Sequence, residues 1–233
     1  MKQLVLSLGL LAATLISTSH AAEPPASAAA QPPAAQPAPA QPAQGTAAQS
    51  TPTPAHPAAS ATAAPAADPE VQVVTSMGNF TIELNPERAP LTVAQFLKYV
   101  DQGFYSGTIF HRAIANFVVQ GGGFDANYKL KGSPGKVVNE SGNGLSNHRG
   151  SVGLARPPEP HGGDVQFYVN LADNSALDPN QSRWGYAVFG KIVQGMDVVD
   201  RISTVPTGAK GPFKEDAPLQ PVIIERIERV PTP

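Results

Sequence analysis

The sequence predicts a domain dominated by short β-strands, with two helices, behind a long leader that builds no core. Three observations carry this. Short apolar, β-rich runs bounded by Gly, Pro and Asn recur at 71–75, 80–84, 107–113, 117–120, 151–155, 165–171, 187–192 and 222–227. Two further stretches have helical period instead. In residues 22–69, 32 of 48 positions are Ala or Pro, and the charged residues there are Glu23 and Asp68. Such a stretch cannot bury enough apolar surface to offset its ordering entropy. Pattern alone leaves open whether the strands close into a barrel or stack as a sandwich.

Taken in order, residues 1–21 combine Lys2, an apolar run from Leu4 to Ile16 and the small-x-Ala sequence Ser19-His20-Ala21, which together read as a cleavable signal peptide. A membrane anchor is the competing reading, but the run is shorter than the roughly 20 residues a span needs. Residues 22–69 read as a disordered, partly polyproline II tether, at most about 150 Å long at about 3.1 Å per residue. It serves as a passive spacer or lets the domain reach past, and bind, other envelope components. Residues 70–233 form the folded domain.

That domain opens with two β-rich runs separated by Ser76-Met77-Gly78-Asn79, a hairpin signal. Pro90 then suits a first helical turn, and Val93, Phe96, Leu97 and Val100 follow at 3-1-3 spacing before Gly103. A second helix is predicted over 196–202, with Val198, Val199 and Ile202 inward, Asp197 at the positive end of its dipole and Arg201 at the negative end.

The 164 residues from position 70 hold 15 basic and 16 acidic side chains, so the domain is nearly neutral and large enough for one core. No Lys/Arg run exists to neutralise phosphates, which argues against nucleic acid as a partner. The chain has no cysteine. Disulfides, thiol catalysis, thiolate metal sites and a lipid-modified amino terminus are thereby excluded, and the composition suits an oxidising compartment. Nothing suggests an obligate dimer, and a monomer is expected.

Two segments concentrate chemistry. In FHRAIANFVVQGG (110–122), Arg112 and Gln120 stand in an apolar, extended stretch closed by Gly121-Gly122-Gly123, expected to be flexible. A buried arginine needs a partner or a purpose; an internal hydrogen bond is the plain reading. In VQFYVNL (165–171), Val165, Phe167, Val169 and Leu171 share one face of a strand and Gln166, Tyr168 and Asn170 the other. An amide beside an aromatic ring suits a peptide held by its backbone with an apolar side chain covered.

With GSVGLAR (150–156) and GYAVFGKIVQGMDVV (185–199), these segments resemble the cyclophilin family of peptidyl-prolyl isomerases. The resemblance runs from about Val71 to Val230 through the FHR, F-x-x-QGG, QF-aromatic and V-FG-K elements, and is greatest to the exported bacterial branch. It implies a closed eight-stranded antiparallel β-barrel capped by two α-helices, and an enzyme that rotates X-Pro bonds in unfolded or flexible polypeptides of the periplasm. A proline-peptide binding or chaperone module with little catalysis is the alternative.

The resemblance also assigns roles. Arg112 matches the catalytic arginine, and Gln120 and Gln166 the groups that orient it and the substrate backbone. Phe117, Val118, Tyr168 and Leu177 match the pocket for the proline ring, with Val118 where methionine is common and Tyr168 where phenylalanine is. Ala155 and Arg156 match the segment that pairs with the peptide main chain, although asparagine often stands at Arg156. Tyr186 matches a position often held by histidine. Ala176 stands where cyclosporin-sensitive members carry tryptophan, implying weak cyclosporin binding, and Val165 replaces the usual serine. The loop 156–163 is expected to adjust which peptides enter. One preorganised donor beside an apolar pocket suffices for such a rotation, so no metal or cofactor is required.

Other signals read blandly. The glycine triplet has no helix start after it to bind phosphate. His111, His148 and His161 lack metal-ligand spacing, and His111 is expected to have a structural partner. No Gly-x-Ser-x-Gly elbow appears. Trp184 is expected to pack beside the loop after Leu177 rather than to form a ligand platform.

Overall fold

A computed structural model of the chain describes residues 68–133 and 135–231. The signal peptide expected at 1–21 lies outside these residues, as does the tether expected at 22–69 apart from Asp68 and Pro69.

Strands β1 (Glu70–Thr75) and β2 (Gly78–Leu84) pair as the expected hairpin. The turn is tighter than predicted, because Gly78 adopts φ +120° and pairs directly with Thr75. Helix α1 (Pro90–Asp101) starts on its proline and buries Val93, Phe96, Leu97 and Val100 as predicted, with Thr92 and Tyr99. Its cap comes from far along the chain: the Glu140 carboxylate accepts hydrogen bonds from the main-chain N–H groups of Leu91 (3.0 Å) and Thr92 (2.8 Å). A negative charge at that end also complements the helix dipole.

The chain continues through β3 (Thr108–Ile114), β4 (Val118–Asp125), β5 (Ser151–Leu154), β6 (Phe167–Asn170) and β7 (Val188–Gln194) to helix α2 (Met196–Ser203). In α2, Val198, Val199 and Ile202 are buried as expected, and Asp197 and Arg201 pair across one turn at 2.6 Å. Strands β8 (Thr207–Lys210) and β9 (Phe213–Pro218) form a separate hairpin that the sequence reading did not assign, and β10 (Val222–Arg229) ends the fold.

Eight strands close into an antiparallel barrel in the order β1-β10-β3-β4-β6-β5-β7-β2, with β2 returning to β1. This is the architecture the resemblance implied. The core is one cluster that takes inward residues of the barrel strands and the apolar faces of both helices. Phe96 of α1 meets Phe167 and Phe189 with ring centroids at 5.7 and 5.2 Å. The β8–β9 hairpin packs against β3 through a second cluster of Ile109, Phe124, Tyr128 and Ala217 with Phe213.

The glycine triplet is not a flexible stop. All three glycines are buried within β4. A Cβ on Gly121 would stand 2.7 Å from Phe110 Cδ1 and 3.0 Å from the Ile109 carbonyl oxygen, where the β3–β4 register shifts. Close approach of two backbones therefore requires glycine there. Gly121→Ala is expected to cost about 1–3 kcal/mol through overpacking. In urea unfolding the midpoint should fall while the slope stays constant.

Candidate active site

Register builds the site. Arg112 on β3 lies opposite Gln120 on β4, Gln120 opposite Tyr168 on β6, and Tyr168 opposite Gly153 on β5. Directly opposed residues of a sheet project to the same face. The neighbouring row Ala113–Val119–Val169–Val152 faces the core. Arg112, Gln120 and Tyr168 therefore share the outer face. Gly153 leaves the gap that Tyr168 fills, since a Cβ there would lie 2.3 Å from Tyr168 Cζ.

Around this row sits an apolar cluster distinct from the core: Val118, Tyr168, Leu177 and Tyr186, with Phe117 and Ala155 against it. Together with Gln120 and Arg156 these residues line a small pocket. Phe117 comes from the β3–β4 turn, Leu177 from a single 3-10 turn at Ser175–Leu177, and Ala155 and Arg156 from the end of β5. All ten residues singled out from the sequence are thus gathered in one region, with Arg112 and Gln166 at its edge. Ala176, in the same 3-10 turn as Leu177, is exposed and leaves that rim open.

The side chain of Arg112 is 12% exposed, and its Cζ lies 5.9 Å from the Phe117 ring centroid. Its Nε and Nη1 are buried and make no hydrogen bond. The expected partnership with Gln120 or Gln166 is not made, because the two amides bond each other, Gln120 Nε2 donating to Gln166 Oε1 at 3.1 Å. The nearest carboxylate is instead Asp216 on β9, with Oδ2 3.6 Å from Arg112 Nε. That distance exceeds a hydrogen bond, so Nε and Nη1 are left unpaired at the edge of the pocket.

A buried polar network holds the pocket floor. The Tyr168 hydroxyl donates to Asn147 Oδ1 at 2.6 Å, and Asn147 donates twice to Asp178 Oδ1, from N and from Nδ2, at 2.8 Å each. Asn170 Nδ2 donates to Asn147 Oδ1 and Ser151 Oγ, and Asn174 Nδ2 to the Phe117 carbonyl oxygen. Burial pushes the Tyr168 hydroxyl well above the usual tyrosine pKa. It remains a neutral donor at any physiological pH.

Arg156 is a clasp for the loops beside the pocket. Its guanidinium donates to the carbonyl oxygens of Gly185 (3.1 Å), Pro157 (3.0 Å), Pro158 (3.2 Å) and Trp184 (2.7 Å), and lies 4.7 Å from the Tyr186 ring centroid. Its side chain is therefore committed to the protein, leaving its main chain to meet a ligand. Trp184 lies beside the loop after Leu177 as expected, lining a recess with Pro179, Asn180 and Gln181, but it is 47% exposed, with its ring edge-on to His161 at 5.2 Å. Asn147 and Asp216 were missed by sequence reading. Each is a lone polar residue in a polar segment, and nothing in its spacing marks it.

These features coincide with a known family. The sequence matches the family described as "Cyclophilin type peptidyl-prolyl cis-trans isomerase/CLD" over residues 70–229. The chain belongs to this family. It is 44% identical over 167 residues to a peptidyl-prolyl cis-trans isomerase of Acinetobacter baylyi, covering 72% of this chain and 88% of that protein. To peptidyl-prolyl cis-trans isomerase A of Dickeya dadantii it is 45% identical over 166 residues, covering 71% and 87%. To isomerase B of Escherichia coli it is 44% identical over 156 residues, covering 66% and 94%. A cyclophilin-type isomerase of Cryptosporidium parvum, 22% identical, shares the fold with a TM-score of 0.59 over 71% of this chain and 99% of its own. As a cyclophilin, the chain is a peptidyl-prolyl cis-trans isomerase.

His111, beside Arg112, is buried between the rings of Phe124 and Phe213 at 4.7 and 5.1 Å, so its structural partners are aromatic. Burial first, then the charge of Arg112, lowers its pKa from 6.5 to about 3. The native state therefore keeps this ring neutral where the unfolded chain takes up a proton. Its contribution to stability is complete above pH 6.5 and is lost as pH falls from there toward about 3. Replacing His111 by leucine is expected to flatten the stability profile in that window by up to about 1.4 kcal/mol per pH unit. Urea unfolding at successive pH values measures it.

Proposed function

We propose that this cyclophilin rotates X-Pro bonds at the pocket beside Arg112, and that its substrates are exported polypeptides folding in the periplasm. The observation that carries the site assignment is the shared outer face. It sets a buried guanidinium with two unbonded nitrogens beside a mostly apolar pocket. Beyond this chain, the Cryptosporidium parvum cyclophilin was also solved in the presence of the dipeptide Ala-Pro. Export is supported by the signal-like first 21 residues and by a chain without cysteine.

Amide resonance imposes a barrier of roughly 18–20 kcal/mol on such a rotation. At the twisted transition state the proline nitrogen leaves conjugation and regains its lone pair. A donor aimed at that nitrogen then bonds it better than in either planar ground state, and this difference is the catalysis. Arg112 suits the role because its guanidinium stays charged and presents several donors in a fixed plane. Phe117, Val118, Tyr168, Leu177 and Tyr186 cover the proline ring, while Gln120, Gln166 and the main chain of Ala155–Arg156 hold the peptide backbone. A thousandfold acceleration needs about 4 kcal/mol, and one preorganised donor in a dry site supplies roughly 3–4 kcal/mol.

Isomerisation of a short proline peptide tests this. Arg112→Ala is expected to lower kcat by about a hundredfold or more with little change in peptide affinity. Phe117→Ala should lose affinity and rate together. Equal rates for wild type and Arg112→Ala, with peptide still bound, would point to a binding module instead. Because Ala176 stands exposed where a tryptophan would cover the ligand, cyclosporin should inhibit weakly; a nanomolar inhibition constant would refute that.

A further inference from the structure

The β8–β9 hairpin lies against β3, and one of its acidic side chains addresses the guanidinium assigned to catalysis. We propose that Asp216 is a positioning residue for Arg112: its charge holds the Nε edge of the guanidinium and leaves the remaining donors turned to the pocket. This rests on the reading of Arg112 given above.

A cation that is 12% exposed needs a counter-charge. Among the described residues Asp216 is the one carboxylate within 4.0 Å of Arg112. Gln120 and Gln166, the other polar groups nearby, are occupied with each other. Because a guanidinium is planar, a charge fixed at one edge sets the direction of the other. At 3.6 Å Asp216 orients Arg112 without consuming a donor, and Nε and Nη1 remain unbonded.

Asp216 is itself held in place. Its φ of +61° lies in the left-handed region, which aspartate tolerates better than most residues and which re-aims a side chain within a strand. The next residue, Ala217, is fully buried in the cluster with Ile109, Phe124 and Tyr128. Tyr128 locks the strand from the other side, its hydroxyl donating to the Pro218 carbonyl oxygen at 2.6 Å. The same hairpin lays Phe213 over His111.

Asp216→Asn keeps the shape and removes the charge, so it separates positioning from packing. It is expected to lower kcat about tenfold and to change KM less than about twofold. In an Arg112→Ala background the same change should have no further effect, the mark of two residues acting as one unit. Independently of turnover, proton exchange of the Arg112 Nε–H with solvent, followed by NMR, should quicken about fivefold or more in Asp216→Asn. If Arg112→Ala is strongly impaired while Asp216→Asn keeps wild-type kcat and Nε–H exchange, the pairing is refuted and the role of Arg112 stands. An equal loss of activity in both backgrounds also overturns it. If Arg112→Ala costs nothing, the reading of Arg112 falls first and the positioning role falls with it.

Discussion

The alternation of side chains across four adjacent strands, β3, β4, β6 and β5, is the constraint on which the rest of this protein depends. One set of opposed residues fills the barrel, and the set beside it makes the wall of the pocket. Because the side-chain period is two, a slip of one residue would send Arg112 into the core and Val119 and Val169 to the surface. Core stability and site geometry are therefore specified by the same register. The large apolar set Phe167, Val169, Val119 and Val152 enforces it.

Around that wall, rigidity comes from places where atoms are missing and from polar groups that are fully paired. Gly153 makes room for the Tyr168 ring, and Gly123 for Gln166, whose Cγ would stand 2.5 Å from a Cβ there. Asn147 then ties the Tyr168 hydroxyl to Asp178, close to the 3-10 turn that carries Leu177. A floor built this way cannot shift one member without unpairing a buried polar group, which costs about 1–3 kcal/mol. Preorganisation of this kind suits a reaction in which no bond is made or broken and the whole gain must come from a donor already in position.

The electrostatics are equally local. The domain is nearly neutral, and its charge matters where Arg112 is shielded from solvent. His111 beside it is held uncharged by burial, Asp216 stands just beyond hydrogen-bond reach, and Arg156 is spent on loop carbonyls. Two arginines flank one pocket with opposite assignments, one with free donors and one with nearly all of them used. Residue type alone does not distinguish them; their neighbours do.

The sequence by itself determined the strand and helix periods, both helix faces, the alternating faces of 165–171 and, through the resemblance, the barrel and the ten residues that the fold gathers around one pocket. These are local patterns or ordered motifs, written in consecutive residues. What only the tertiary structure decided arises from segments distant in sequence: Glu140 capping α1 from 48 and 49 residues away, the β8–β9 hairpin on β3, the close packing that makes the glycine triplet rigid, Asn147 under Tyr168, and Asp216 rather than a glutamine beside Arg112. The reason is physical. Periodicity records which face of an element is buried, whereas the partner a polar group finds depends on which strands the closed sheet sets side by side.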